Sequence, residues 1–255
     1  MRIGLIGFGT VGTGVLKVLK KNRRLLEERL GTSLDIVRIA DIDLKRDRDI
    51  SVDRSILTRD PNEILNDPDI SIVIELIGGL EPARSYILKA IRKRKHVVTA
   101  NKALLAEHGR EIFHAARESG AEIGFEASVA GGIPILKAIR EGLVGNRISS
   151  IYAIINGTSN YVLTQMSTKG LGFHDALALA RKKGFAEADP SLDVDGTDAA
   201  HKLAILVLLS FGRVVRLRDI YTEGIKSLSP LDIQYSKEFG YRVKLLAIAR
   251  DHGTT

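Results

Sequence analysis

Short apolar runs alternate with helical patterns through the first ~130 residues, which is the rhythm of a parallel sheet covered by helices. Strands are expected at Ile3–Ile6, Ile36–Ala40, Ile70–Ile77, His96–Thr99 and Glu122–Phe125. Between them the pattern predicts helices from Val11 to about Leu30, near Asn62–Asn66, at Pro82–Arg94 and at Glu107–Ser119. Such an alternation is α/β, a doubly wound parallel sheet of Rossmann type. It changes at Glu126–Ile133, where a small-residue turn leads into a helix, Pro134–Glu141, whose proline suits a first turn. A boundary there divides the chain into domains of residues 1–130 and 131–255. Ile148–Ile155 and Arg242–Ala249 then read as strands, and Asn160–Thr168, Phe173–Lys183 and Asp198–Ser210 as helices, an α+β arrangement.

One segment breaks the apolar rhythm. Gly184 to Lys202, GFAEADPSLDVDGTDAAHK, carries five carboxylates, Glu187, Asp189, Asp193, Asp195 and Asp198, ahead of a run that is apolar on every side, Leu203–Leu209. That run predicts a buried helix whose polar first turn opens onto a cavity or solvent. Asp198 and Lys202 stand four apart with the acid first, the orientation that best supports an ion pair on a helix. A lysine so held can give or take a proton. Ser191, Asp193, Asp195 and Gly196 fall on positions one, three, five and six of a calcium loop, but Lys202 at position twelve would repel the ion. Capping by Asp195 or Thr197 accounts for one or two of the acids and leaves the rest unexplained.

A second motif lies at the start. Gly7-Phe-Gly9-Thr-Val-Gly12 follows a strand and opens a helix, the context in which such glycines let backbone approach a pyrophosphate at a helix N-terminus. A plain glycine turn is the competing reading. Asp41 closes the second strand, where a carboxylate accepts from both ribose hydroxyls and favours NAD over NADP. Arg38, Lys45, Arg46 and Arg48 lie close by and could hold a 2′-phosphate instead, so both cofactors stay open.

Composition narrows the chemistry. A chain of 255 residues with 44% hydrophobic content can bury one large core or two smaller ones. There is no cysteine, which excludes disulfides and thiolate catalysis. The net charge of +7 and the patch Lys89–His96 raise a nucleic-acid reading, but no binding motif accompanies them and aromatics are only 5%. Attraction of a phosphorylated cofactor is the better use of that field. RIGLIGFGTVGTGV is interrupted by glycines and lacks a cleavage site, so it reads as strand and turn rather than as a signal peptide, and a cytoplasmic location is expected. No apolar run approaches the ~20 residues of a membrane helix.

The acidic segment, G-F-A-E-A-D-P-S-x-D-x-x-G-x-D-A-x-x-K, resembles the signature of homoserine dehydrogenases. Gly7–Gly12, Glu75-Leu-Ile-Gly-Gly79, Thr99-Ala-Asn-Lys102, Glu126-Ala-Ser-Val-Ala-Gly-Gly-Ile133 and Asn156-Gly-Thr158 follow in that family's order, so the resemblance runs from the first residues to about Lys244. It implies reversible hydride transfer between a nicotinamide cofactor and L-aspartate 4-semialdehyde, giving L-homoserine, with a dinucleotide-binding domain first and a substrate-binding and dimerisation domain after it. Phe8, Thr10 and Val11 would touch the dinucleotide beside the three glycines. The Gly78–Gly79 turn and Thr99 would lie over its nicotinamide half, with Gly184 admitting the ring. Lys202 would act as the acid, fixed by Asp198, with Lys102 orienting the substrate or sharing that role. Glu187 and Asp193 would meet the substrate's α-ammonium, and Thr158 would hydrogen-bond the substrate. His201 is expected to pack. The family also binds sodium through backbone carbonyls matching Glu126, Val129, Gly131 and Ile133, and forms homodimers. Family members continue past this chain's last residues, so a fragment with an incomplete cofactor site is expected. The alternatives are another reductase of the same fold acting on an amino acid or a sugar, and a cofactor-binding but inactive fragment.

Overall fold

The computed structural model describes residues 1–253 and separates into two compact units, Met1–Pro134 and a second that starts at Ile135. In the first unit the elements are β1 (Arg2–Ile6), α1 (Thr10–Lys21), α2 (Arg23–Leu30), β2 (Asp35–Ala40), β3 (Leu57–Thr58), α3 (Asn62–Asn66), β4 (Ile72–Glu75), α4 (Ala83–Arg92), β5 (His96–Thr99), α5 (Lys102–Ser119) and β6 (Ile123–Gly124). All strand pairs are parallel, in the order β3-β2-β1-β4-β5-β6. The chain returns to the middle of the sheet after β3, so the order reverses between β1 and β4. The crevice at such a reversal, beyond the strands' carboxyl ends, is where doubly wound sheets bind ligands.

Ile3, Leu5, Leu16, Ile39 and Ile74 build the core between β1, β2, β4 and α1. Each such side chain contributes ~1.5–3 kcal/mol on burial. The helix expected over Val11–Leu30 is two helices that break at Asn22. α2 buries no residue and is held from outside, by Arg23 and Arg24 reaching Glu27 and Glu28 one turn on and by Arg23 reaching Asp35. The strand Ile70–Ile77 shortens to Ile72–Glu75, because Leu76 onward turns away. α5 begins five residues before the expected Glu107, because Asn101 accepts from the Leu104 N–H and nucleates the first turn. Lys102 is therefore the first residue of that helix. Lys95, buried just before β5, donates to the carbonyls of Asp67 and Ile70, and desolvation pulls its pKa below the ordinary lysine value.

The second unit holds α6 (Ile135–Lys137), a π-helical turn (Ala138–Gly142), β7 (Ser150–Ala153), α7 (Gly157–Lys169), α8 (Phe173–Lys182), α9 (Ser191–Val194), α10 (Thr197–Phe211), α11 (Pro230–Glu238) and β8 (Ala247–Arg250). β7 and β8 pair antiparallel. Alternation sends Ile151, Ala153, Ala247 and Ala249 onto Leu203 and Val207 of α10, and leaves Tyr152 and Ile248 outward. Val162, Leu163 and Met166 of α7 pack with Phe173, Leu177 and Ala180 of α8 in a second cluster, closed by Val194, Ile225 and Ile233. Neither α9 nor α11 is visible in the apolar pattern. α11 instead carries a capping box between Ser229 and Asp232 behind Pro230.

Candidate active site

Within the second unit the acidic segment divides by task. Asp189 accepts from the Ser191 hydroxyl (2.6 Å) and N–H (3.1 Å), which hold its carboxyl below the usual range and set the turn into α9. Asp195 pairs with Lys226 at 2.6 Å. Neither Asp195 nor Thr197 caps α10: the capping position belongs to Gly196, left-handed at φ 85, with no side-chain cap. Glu187, Asp193 and Asp198 remain, and these three line one pocket of about 660 Å³ together with Lys202, Asn156, Thr158, Tyr161 and Gly184.

At its floor, the Lys202 ammonium donates to Asp198 Oδ2 at 2.6 Å and to the Ile155 carbonyl at 2.8 Å. The side chains are 18% and 6% exposed, so this is a largely desolvated pair. A lysine ammonium has three donors. Two are engaged, and the third N–H is left for a ligand oxygen.

Asn156 is the residue that sequence reasoning passed over. It is buried, its carbonyl oxygen caps α7 by accepting from the Ser159 N–H (2.8 Å), and its Nδ2 donates to Asp193 Oδ1 (2.7 Å) and Asp198 Oδ2 (2.8 Å). One amide thus clamps two carboxylates that would otherwise repel. The signal was present: an Asn-Gly pair ahead of a helix is a cap, and Asn156 heads the motif that includes Thr158. The Thr158 hydroxyl donates to the Phe185 carbonyl (2.7 Å), and Tyr161 stacks on the Phe185 ring at 4.6 Å, so α7 holds the turn that follows α8. Gly184, at φ 75, ends α8 at the pocket's rim. The Glu187 carboxylate, exposed at the mouth, bonds to no described residue. His201 is buried.

In the first unit, β1 runs into Gly7, left-handed at φ 99, whose N–H returns to the Ala40 carbonyl. α1 begins at Thr10 behind Gly9 with no side-chain cap, which leaves its first N–H groups for an anion. Nothing stands within 4 Å of where a Cβ at Gly9 would lie. Thr10 and Val11 are exposed. This is a cradle that fits a pyrophosphate. The Phe8 ring is 2% exposed and packs in the core, at the edge of the pocket lined by Lys45, Arg46 and Arg48.

Asp41 accepts from the Phe8 N–H (2.6 Å) and the Asp43 N–H (2.8 Å) and pairs with Arg48 at 3.4 Å. Arg48 lies over the Phe8 ring at 4.5 Å, and its Nε donates to the Phe8 carbonyl. A pocket of about 620 Å³ opens there, lined by Lys45, Arg46, Arg48 and Arg54 among others. Arg38 turns elsewhere, to the Ser55 carbonyl and Glu63.

At the end of β4, Gly78 and Gly79 are both left-handed, at φ 73 and 71. Thr99 is buried with its hydroxyl bonded to Glu75, so it supports this rim from behind. Lys102 opens α5 and is half-buried. Farther on, Glu126 lies in a 3₁₀ turn, Val129 is buried, Gly131 follows a left-handed Ala130, and Ile133 is exposed. Among the described residues no cluster of three His, Asp or Glu side chains could hold a metal, and no helix is long and apolar enough to cross a membrane.

Residues 134–254 match the family model described as homoserine dehydrogenase, and residues 7–126 match the one described as homoserine dehydrogenase, NAD binding domain. A homoserine dehydrogenase of Synechocystis sp. is 47% identical over 249 residues, which take in 98% of this chain and 57% of that protein. The crystal structure of a homoserine dehydrogenase from Thiobacillus denitrificans superposes with a TM-score of 0.92 at 48% identity, over 99% of this chain and 58% of that one. A hyperthermophilic archaeal homoserine dehydrogenase in complex with NADPH gives a TM-score of 0.74 at 28% identity, over 90% of this chain and 75% of that one. The chain thus spans under three-fifths of the length of the first two relatives.

Proposed function

Because the chain belongs to the homoserine dehydrogenase family, we propose that it interconverts L-homoserine and L-aspartate 4-semialdehyde with a nicotinamide dinucleotide as redox partner. The observation that carries this reading is the second unit's pocket, where three carboxylates surround one lysine. An α-ammonium is the natural complement of Glu187 and Asp193, while an oxygen that gains negative charge needs the spare N–H of Lys202. The cofactor, when bound, supplies or accepts the hydride.

The residues' work follows from their bonds. Asn156 keeps Asp193 and Asp198 in register, Asp198 and the Ile155 carbonyl fix the Lys202 ammonium, and Lys202 passes a proton to the carbonyl oxygen during reduction. Lys102 orients the substrate. Thr158 holds the Phe185 carbonyl and so the loop that carries Glu187. The deciding experiment is a steady-state assay with aspartate semialdehyde and homoserine against both cofactors: turnover of this pair is expected with at least one of them, and its absence with both overturns the reading.

Glu187→Ala is expected to raise KM for the amino-acid substrate by about tenfold with kcat little changed, because an exposed carboxylate at the mouth binds ground and transition states alike. A fall confined to kcat would move Glu187 into the chemistry.

For the cofactor we favour NADP over NAD. Both Asp41 oxygens are engaged by backbone N–H groups and Arg48 offsets the charge, so Asp41 repels a 2′-phosphate less than a free carboxylate would. Lys45, Arg46 and Arg54 add positive field around that pocket. Arg48→Ala should raise KM for NADP by about tenfold and leave that for NAD near its starting value; an equal rise for both would show that Arg48 only shapes the loop. The left-handed turn at Ala130 and Gly131 supports sodium held by the carbonyls of Glu126, Val129, Gly131 and Ile133. The apolar outer face of β7–β8, with Tyr152 and Ile248, supports a homodimer through the second unit, which sedimentation would test.

A further inference from the structure

The most deeply buried acid in the first unit has no part in the mechanism so far. Glu75 is 0% exposed at the last position of β4, on the strand where the sheet order reverses. Its Oε1 accepts from the Ile77 N–H (2.8 Å) and the Gly78 N–H (3.4 Å), and its Oε2 accepts from the Thr99 hydroxyl (2.7 Å). The Thr99 oxygen in turn accepts from the Asn101 N–H (3.0 Å), which fixes the direction of its own proton toward Glu75. Asn101 closes the ring: its Nδ2 donates to the Gly79 carbonyl (2.7 Å), while its Oδ1 caps α5. One side chain therefore ties the two-glycine turn after β4 to the corner between β5 and α5, where Lys102 begins.

Burying a carboxyl that only accepts carries a desolvation penalty that the sheet's packing does not require. What the penalty secures is the conformation of Ile77–Gly79, a turn with two successive left-handed glycines and little packing of its own: nothing stands near a Cβ at Gly78, and only one atom, at 3.9 Å, near one at Gly79. The same turn adjoins the pyrophosphate loop. Leu76 N–H bonds the Ile6 carbonyl, and a Cβ at Gly7 would strike the Leu76 backbone at 2.6 Å. We propose that Glu75 is a positioning residue for the nicotinamide half of the cofactor, holding the Ile77–Gly79 turn and the Thr99–Asn101 corner as one rim against which that half is oriented. The proposal rests on the reading of the first unit as the cofactor domain.

The test separates the two halves of the ligand. Calorimetric binding of NADPH, and of 2′-phospho-ADP-ribose, which lacks the nicotinamide, is measured for wild type, Glu75→Gln, Thr99→Val and Thr99→Ser, with the melting temperature of each. Glu75→Gln and Thr99→Val are expected to weaken NADPH at least about tenfold, the scale for a hydrogen bond to a charged group, and to leave 2′-phospho-ADP-ribose within about twofold. Thr99→Ser, which keeps the hydroxyl, is expected to bind both like wild type. Equal losses for both ligands, or no loss for either, would overturn the positioning role. Wild type that binds neither these two nor NADH would overturn the cofactor reading itself, and wild type that binds NADH alone moves the same comparison to NADH and ADP-ribose. Should Glu75→Gln fail to fold, the Thr99 pair carries the same comparison.

Discussion

Lys202→Ala is expected to lower turnover at least ~100-fold, the scale for losing a positioned proton donor, with dinucleotide binding near wild type. The expectation comes from geometry. Two of the three ammonium protons are committed to Asp198 and the Ile155 carbonyl, so the third can point in only one sector of the pocket. Removing the ammonium also leaves the buried Asp198 carboxylate without its cation, and some loss of stability should accompany the loss of rate. Lys202→Arg separates the two effects: the guanidinium keeps the charge beside Asp198 but does not release a proton at neutral pH. It should restore the melting temperature and not the rate. Lys102→Ala is expected to raise KM more than it lowers kcat, in keeping with an orienting role. Near-full turnover by Lys202→Ala, or a larger fall in kcat for Lys102→Ala, would reassign the proton donor.

The parts of the fold legible in the sequence were those with a local cause. β1, β4 and β5 announce themselves because buried parallel strands are apolar runs, and the glycine loop because its spacing serves one geometry. β3, at two residues, is too short to carry a pattern, and α2, with no buried face, follows α1 without a break in polarity. The start of α5 was missed because the signal lies in Asn101, a cap, and not in the apolar periodicity that begins later. In the candidate site, Asp198 and Lys202 were legible because four residues on a helix dictate contact. Asn156 was legible only as a cap; its clamp on the two acids was not, because those partners lie 37 and 42 residues away, and such a link appears only once α7, α9 and α10 are packed. The five acids looked alike in the sequence; Ser191, Lys226 and Asn156, placed by the fold, give them different tasks.

The glycine loop yields the second large effect, and a pair of alanine substitutions reads it. At Gly12 a Cβ would stand 2.2 Å from the Gly7 carbonyl oxygen and 3.1 Å from its carbon, so the obstacle is backbone and not the end of a flexible side chain. Gly7 has little room to yield, because its N–H bonds the Ala40 carbonyl at 2.9 Å and the Leu76 backbone fills the space beside its Cα. α1 must therefore move off the loop, at ~1–3 kcal/mol for an overpacked site, which lowers the melting temperature by several degrees in a chain of this size. The N–H groups at the start of α1 move with it, so dinucleotide binding should fall at least about tenfold. At Gly9 nothing stands within 4 Å of a new Cβ and the backbone is extended. Gly9→Ala should therefore melt within ~0.5 kcal/mol of wild type and yet weaken the dinucleotide, because the methyl group occupies the space left open for the pyrophosphate. Thermal unfolding and calorimetric binding on both variants decide the matter. Wild-type melting by Gly12→Ala would mean that the helix and the loop are less tightly joined than their backbones indicate, and wild-type affinity in Gly9→Ala would mean that the phosphates lie elsewhere.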